Sequence, residues 1–176
     1  MRERGLTLVE LAIAIAVVAT LAAAAVPAYG AWIAELRLAG FAQQIASSLA
    51  VARVEAVRHG GRVVLCKAPP GTTRCNTGGG WDGGWIVFLD DNGNAQADGV
   101  EPIVRAEPPA QWGITARGNQ PVASYVSFTP FGQARLVSGA LQIGTITVCK
   151  SGLKGWQVVL ASTGRVRMDR ATTLCS

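Results

Sequence analysis

Sixteen consecutive residues near the N-terminus, Leu11–Val26 (LAIAIAVVATLAAAAV), carry no charge, and the residue just before them is Glu10. Counted from Leu6, the apolar stretch is 21 residues long, interrupted once by that carboxylate. As an α-helix it would extend about 31 Å at about 1.5 Å per residue, which matches a bilayer core of about 30 Å. A secretory signal peptide is the plainer alternative, with a basic start at Arg2 and Arg4 and small residues from Ala23 to Ala28 as a cleavage region. Glu10 argues against it. A charge in the middle of a membrane segment costs about 2.5–3.5 kcal/mol and usually has a dedicated partner. Cleavage after Gly5 would create one, the free amine of Leu6 on a neighbouring copy.

Gly5, the following Leu6-Thr7-Leu8-Val9-Glu10, the apolar run and Pro27 together resemble the class III signal of type IV pilins and type II secretion pseudopilins. The resemblance implies that residues 1–5 are a leader removed by a prepilin peptidase, with N-methylation of Leu6. It also implies that Glu10 pairs with a neighbour's N-terminus during assembly, and that Pro27 is the family's helix-kinking proline. Leu6 stands where most members carry Phe. The implied location is the inner membrane, single-pass with a periplasmic C-terminal domain, and afterwards a filament of pilins or pseudopilins.

Beyond Pro27, Ile33, Leu36, Phe41, Ile45, Leu49, Ala52 and Ala56 recur at helical spacing, with polar residues mostly between them. Gly60-Gly61 is a stop signal. The spacing predicts one helix over 6–59, with 6–26 in a membrane or filament core. The rest, 60–176, predicts a β domain of short β-branched runs at 61–67, 84–90, 101–106, 112–117, 124–130, 132–137, 141–150, 155–161 and 164–169, separated by Gly, Pro, Asn or Asp. The fold class is α+β, type IV pilin-like, with the long N-terminal helix packed on antiparallel sheets.

Cys66, Cys75, Cys149 and Cys175 lack zinc-knuckle spacing, and His59 is the only histidine. An even count in an exported chain favours disulfides. Three pairings are possible. The favoured one joins Cys66 to Cys75 around the short KAPPGTTR loop and Cys149 to Cys175, tying the C-terminus to an inner strand.

Charge is uneven along the chain. Residues 31–102 carry six basic and seven acidic side chains, net −1, whereas residues 103–176 carry eight basic and two acidic, net +6. A basic half points to an anionic partner. Within it, Arg165 and Arg167 stand two apart on a β-type run. They would share a face about 6.8 Å apart and could grip successive phosphates, while Val166 and Met168 face the core. Arg170, Lys150 and Lys154 are candidates to extend the patch. Asp169 shares the arginine face and could neutralise one of them.

Trp81-Asp82-Gly83-Gly84-Trp85, opening a run that ends at Asp90, and Gly164-Arg165-Val166-Arg167 resemble the GspH/FimT family of minor pilins and pseudopilins. In FimT-type members the Gly-Arg-x-Arg motif is associated with DNA binding in natural transformation. The resemblance therefore implies a minor pilin that binds DNA non-specifically for uptake. The alternative is a GspH- or FimU-like subunit that primes pilus or secretion pseudopilus assembly and binds no DNA.

Asp90, Asn92, Asn94, Asp98 and Glu101 fall on positions 1, 3, 5, 9 and 12 of a Ca²⁺-loop pattern, but Ala95 stands where that loop needs Gly and no helix flanks it. A polar hairpin loop explains the same residues, and no cofactor is expected. Nothing resembles a nucleophile–base pair, a paired-carboxylate site or a phosphate-binding Gly loop, so no enzyme is expected either.

Overall fold

The computed structural model describes residues 7–176, apart from the side chains of residues 24–28. The chain forms two compact units, one ending at Arg37 and one spanning Leu38–Ser176. A single helix, α1 (Leu8–His59), contributes to both and continues through Pro27.

The helix begins on Thr7, whose Oγ1 accepts the Glu10 N–H at 3.3 Å. Thr7 thus acts as N-cap with Glu10 three residues on, the sequence arrangement of a capping box. Glu10 also lies in the first turn, where the helix dipole favours a carboxylate. Gly5 and Leu6 lie outside the described residues. Among the described residues, no helix is long and apolar enough to cross a membrane. The expected span 6–26 includes residues outside that description.

In the second unit the helix buries Leu38, Phe41, Ala42, Ile45, Ala46, Leu49, Ala52 and Ala56. The expected stripe is correct from Phe41 onward. Ile33 is only half-buried and Leu36 is exposed. Both precede the second unit, and the core begins instead at Leu38.

The remaining elements are β1 (Val63–Lys67), a 3-10 turn at Trp81–Gly83, β2 (Trp85–Leu89), β3 (Ile103–Glu107), β4 (Thr115–Gly118), β5 (Tyr125–Phe128), β6 (Gly144–Cys149), β7 (Lys154–Leu160) and β8 (Val166–Leu174). They form two four-stranded antiparallel sheets, ordered β3-β2-β1-β5 and β4-β6-β7-β8.

Helix residues and the inner faces of both sheets share one core, with Trp81, Trp85, Phe128, Ile146 and Leu160 among its larger members. The first sheet is covered on its other face as well, where Val64, Cys66, Ile86 and Phe88 pack with Ala95. Burial on both faces explains why VVLC and WIVF read as unbroken apolar runs rather than alternating ones. Gly84 opens β2 at φ 98. A Cβ there would lie 2.8 Å from the Glu107 carbonyl oxygen, so only glycine fits at position 84.

One expected strand is absent. Residues 132–137 form only isolated bridges, Phe128 to Ala134 and Arg135 to Leu141. The buried Gln142 amide takes part of a strand's role beside β5. Its Oε1 accepts the Ser127 N–H at 2.9 Å and its Nε2 donates to the Tyr125 carbonyl at 2.8 Å. At the other end of the chain, β8 runs to Leu174, beyond the expected stop at Asp169. Both expected disulfides are present. Cys66–Cys75 spans Cα atoms 5.5 Å apart, and Cys149–Cys175 ties the end of β8 to β6 with Cα atoms 5.6 Å apart.

Candidate nucleic-acid interface

β8 is an edge strand, paired only with β7. Its register places Val166 opposite Leu160, Arg167 opposite Val159, Met168 opposite Val158 and Asp169 opposite Gln157. Val166 and Met168 pack on the core. Arg167 and Asp169 therefore point to the other side, as the two-residue period requires, while Arg165 stands in the turn just before β8, and both arginines are exposed. Arg167 Nε donates to Asp169 Oδ2 at 2.9 Å, both side chains being about half-exposed. Such a surface pair contributes little stability, about 0–1 kcal/mol. A groove of about 610 Å³ separates the start of β8 from helix residues Gln43, Ser47 and Val51.

The turn that presents Arg165 is tightly built. Gly164 N–H donates to the Ala161 carbonyl at 2.8 Å and Ala161 N–H to the Arg165 carbonyl at 2.9 Å. Gly164 sits at φ 78, the left-handed conformation that short hairpin loops assign to glycine. Ala134 N–H donates to the Ser162 carbonyl at 3.0 Å, which anchors the turn to the loop after β5. Arg53, on the helix, completes the arrangement. Its Nε donates to the Gly132 carbonyl at 3.0 Å, and it lies against Gly164. Arg53 was not anticipated from sequence, because helical spacing marks it as polar without saying which loop meets that face.

The five basic residues named from sequence do not gather into one patch. Arg170 shares strand parity with Val166 and Met168 and stacks over Trp156, its guanidinium carbon 5.0 Å from the ring centroid. Lys154 pairs opposite Leu174, at the other end of the hairpin from Arg167. The five steps from Lys154 to Val159 span roughly 17 Å along the sheet at about 3.4 Å each. Lys150 donates to the Trp112 carbonyl, near that same end.

A second basic cluster lies beside the Trp81–Gly83 turn. Asp82 Oδ1 accepts both the Ala116 N–H at 3.0 Å and an Arg117 N–H at 2.5 Å. Nearby Lys67 is buried and donates to the Thr77 and Gly79 carbonyls at 2.9 and 3.0 Å. Burial lowers the Lys67 pKa from its usual value, Arg117 adds to that, and Asp82 opposes it. These cations are committed to holding the Gly-rich loop, so they are structural.

The 90–101 loop uses its carboxylates internally as well. Asp90 accepts the Asn94 and Ala95 N–H groups at 3.0 and 3.2 Å, and Glu101 accepts those of Asp91 and Asp98 at 3.0 and 2.9 Å. Ala95 adopts φ 56, the conformation for which a Ca²⁺ loop uses glycine. No group of three or more metal-ligating side chains converges among the described residues.

Residues 42–164 match the Type II transport protein GspH family. The chain belongs to the GspH family. Residues 1–26 match the prokaryotic N-terminal methylation motif. A GspH-family chain with this motif is a minor pilin or pseudopilin, a structural subunit of a type IV pilus or a type II secretion system. The motif implies processing by a prepilin peptidase, and the family implies association with other pilins.

Two similar solved structures are crystal forms of the Pseudomonas aeruginosa type IV minor pilin FimU. One has 18% identity and a TM-score of 0.57, covering 78% of this chain and 92% of FimU. The other has 19% identity and a TM-score of 0.51, covering 75% and 92%. At this identity the likeness is one of fold, and it establishes the type IV pilin fold for this GspH-family chain. No curated protein sequence matches it significantly. The family match ends at Gly164, one residue before Arg165.

Proposed function

We propose that this GspH-family chain is a minor pilin of a type IV pilus that binds DNA non-specifically through Arg165 and Arg167, supporting DNA uptake in natural transformation. The observation that carries the reading is the exposure of both arginines side by side, Arg167 facing outward on an edge strand and Arg165 in the adjoining turn pinned by Gly164. Two guanidiniums two positions apart along the chain suit consecutive phosphates, and phosphate contacts carry no base information. Arg170, Lys150 and Lys154 contribute at most a longer-range field, since they stand on other parts of the sheet.

In this reading, cleavage after Gly5 exposes Leu6 for methylation. The segment 6–26 crosses the inner membrane once, with the β domain in the periplasm, until assembly. Glu10 then pairs with a neighbour's N-terminal amine and sets subunit register.

A full-length preparation in detergent micelles, titrated with duplex DNA across a salt series, tests the reading. The logarithm of the affinity is expected to fall with the logarithm of salt at about −0.9 per phosphate contacted. Arg165→Ala/Arg167→Ala should abolish most of the binding while leaving the thermal midpoint nearly unchanged. Absence of wild-type binding at low salt would refute it.

The FimU likeness and the Arg167–Asp169 pair favour a second reading, a FimU- or GspH-like subunit that primes pilus or pseudopilus assembly without binding DNA. It predicts that Glu10→Ala blocks filament formation while Arg165→Ala/Arg167→Ala does not affect it, and that no DNA is bound.

A further inference from the structure

Two loops meet beside Arg165, and they are built alike. In residues 129–133, Gly132 N–H donates to the Thr129 carbonyl at 2.8 Å and Thr129 N–H to the Gln133 carbonyl at 2.9 Å. In residues 161–165, Gly164 and Ala161 make the equivalent pair of bonds. Gly132 at φ 70 and Gly164 at φ 78 occupy the same place in each loop. The glycines touch, since a Cβ on Gly164 would lie 2.0 Å from the Gly132 carbonyl oxygen.

The residue before Gly132 is Phe131, and it is 85% exposed. The other three phenylalanines, Phe41, Phe88 and Phe128, are buried. Pro130 fixes the backbone ahead of Phe131 and the loop's two hydrogen bonds fix it behind, so the ring is held outward at little entropic cost. Arg53 bonds to the adjacent Gly132, and Arg165 follows the touching Gly164. An outward aromatic ring therefore stands on the loop that touches the turn carrying Arg165, which the proposed function assigns to a phosphate, while Arg53 holds the two loops together.

We propose that Phe131 is a stacking platform for an unpaired nucleobase, which makes single-stranded DNA the preferred ligand of this site. The inference rests on the DNA-binding reading and specifies its substrate. In a duplex the base faces are already covered by their neighbours, so a phenyl ring gains nothing from them. An unstacked base offers its whole face, and cationic groups flanking an aromatic ring are the arrangement that holds single strands without reading sequence.

The test compares wild type, Phe131→Ala and Phe131→Leu as full chains in detergent micelles, with an oligo-thymidine strand and with a duplex of equal length. Both substitutions are expected to weaken single-strand binding about fivefold or more and to leave duplex binding within about twofold. Phe131→Leu keeps an apolar side chain but no ring face, so it separates stacking from a hydrophobic contact with another pilin. Phe131→Trp should retain single-strand affinity and add fluorescence quenched by the oligonucleotide, relative to the wild-type background. Equal losses on both ligands, no loss on either, or full activity of Phe131→Leu would overturn the stacking role. Arg165→Ala/Arg167→Ala losing both ligands in that case would leave the DNA reading standing. A wild type that binds neither ligand overturns both.

Discussion

The Gly132 carbonyl oxygen lies where a side chain on Gly164 would begin, 2.0 Å from that Cβ position. Gly164 also sits at φ 78, so any other residue meets both a clash and an unfavourable backbone. Gly164→Ala is expected to destabilise the domain by about 2 kcal/mol or more, read by urea denaturation. The loop carrying Arg165 must shift to admit the methyl group. DNA affinity per folded molecule should therefore fall as well, whereas Thr163→Ala in the same loop should leave both quantities nearly unchanged.

Asp169 is the one acidic side chain on the arginine face of β8, and it holds Arg167 at 2.9 Å. If Arg167 meets phosphates, Asp169 opposes them. Asp169→Asn is expected to raise DNA affinity by about threefold at low salt, an advantage that fades as salt screens the charges. Stability should change by less than about 0.5 kcal/mol, because the pair is exposed. Unchanged affinity in a titration at several salt concentrations would place Arg167 away from the phosphates.

Cys149–Cys175 fastens the far end of β8, the end away from Arg165 and Arg167. Gly155 passes close beside it, its Cβ position 3.1 Å from each sulfur. Replacing both cysteines with alanine is expected to cost about 2–4 kcal/mol of stability. Under conditions where the variant is folded, its DNA affinity should match wild type, since the arginines are positioned by the 161–165 turn. Amide hydrogen exchange should show faster opening at residues 170–174 than at 165–168.

Much of this architecture is legible in local sequence because its causes are local. The alternation Val166-Arg167-Met168-Asp169 states which side chains face the core, and the nine-residue spacing of Cys66 and Cys75 leaves room for a single loop. The same alternation sets Arg170 apart from Arg165 and Arg167, where total charge alone would merge them. The errors come from contacts distant in sequence. The strand expected at 132–137 has suitable residues, but Gln142 fills part of the position beside β5 through its side-chain amide. Arg53 joins the site across 79 residues, a relationship that helical periodicity does not contain. The carboxylates of 90–101 have Ca²⁺-loop spacing, yet Asp90 and Glu101 accept backbone N–H groups of their own loop and Asp98 accepts the side-chain amides of Asn92 and Asn94, a choice that composition does not determine.

Asp90 makes that loop's behaviour depend on pH. Its carboxyl is almost fully buried and is raised above 3.8, chiefly by burial and further by Glu101, against the opposing N–H bonds from Ala95 and Asn94 and the charge of Arg62. The folded protein therefore binds this proton more tightly than the unfolded chain does. Asp90's contribution to stability is complete below the unfolded value and is lost as pH rises through the folded value. Asp90→Asn cannot titrate, and it exchanges one acceptor oxygen for an amide that cannot receive the Ala95 N–H. The substitution is expected to cost about 1–3 kcal/mol at the acidic end, with the gap to wild type narrowing as pH rises through the folded pKa of Asp90. Urea denaturation of both proteins from about pH 3 to pH 7 measures the gap. If the gap widened with pH instead, the N–H bonds to the ionised carboxylate would outweigh its desolvation, and Asp90 would anchor the loop as an anion.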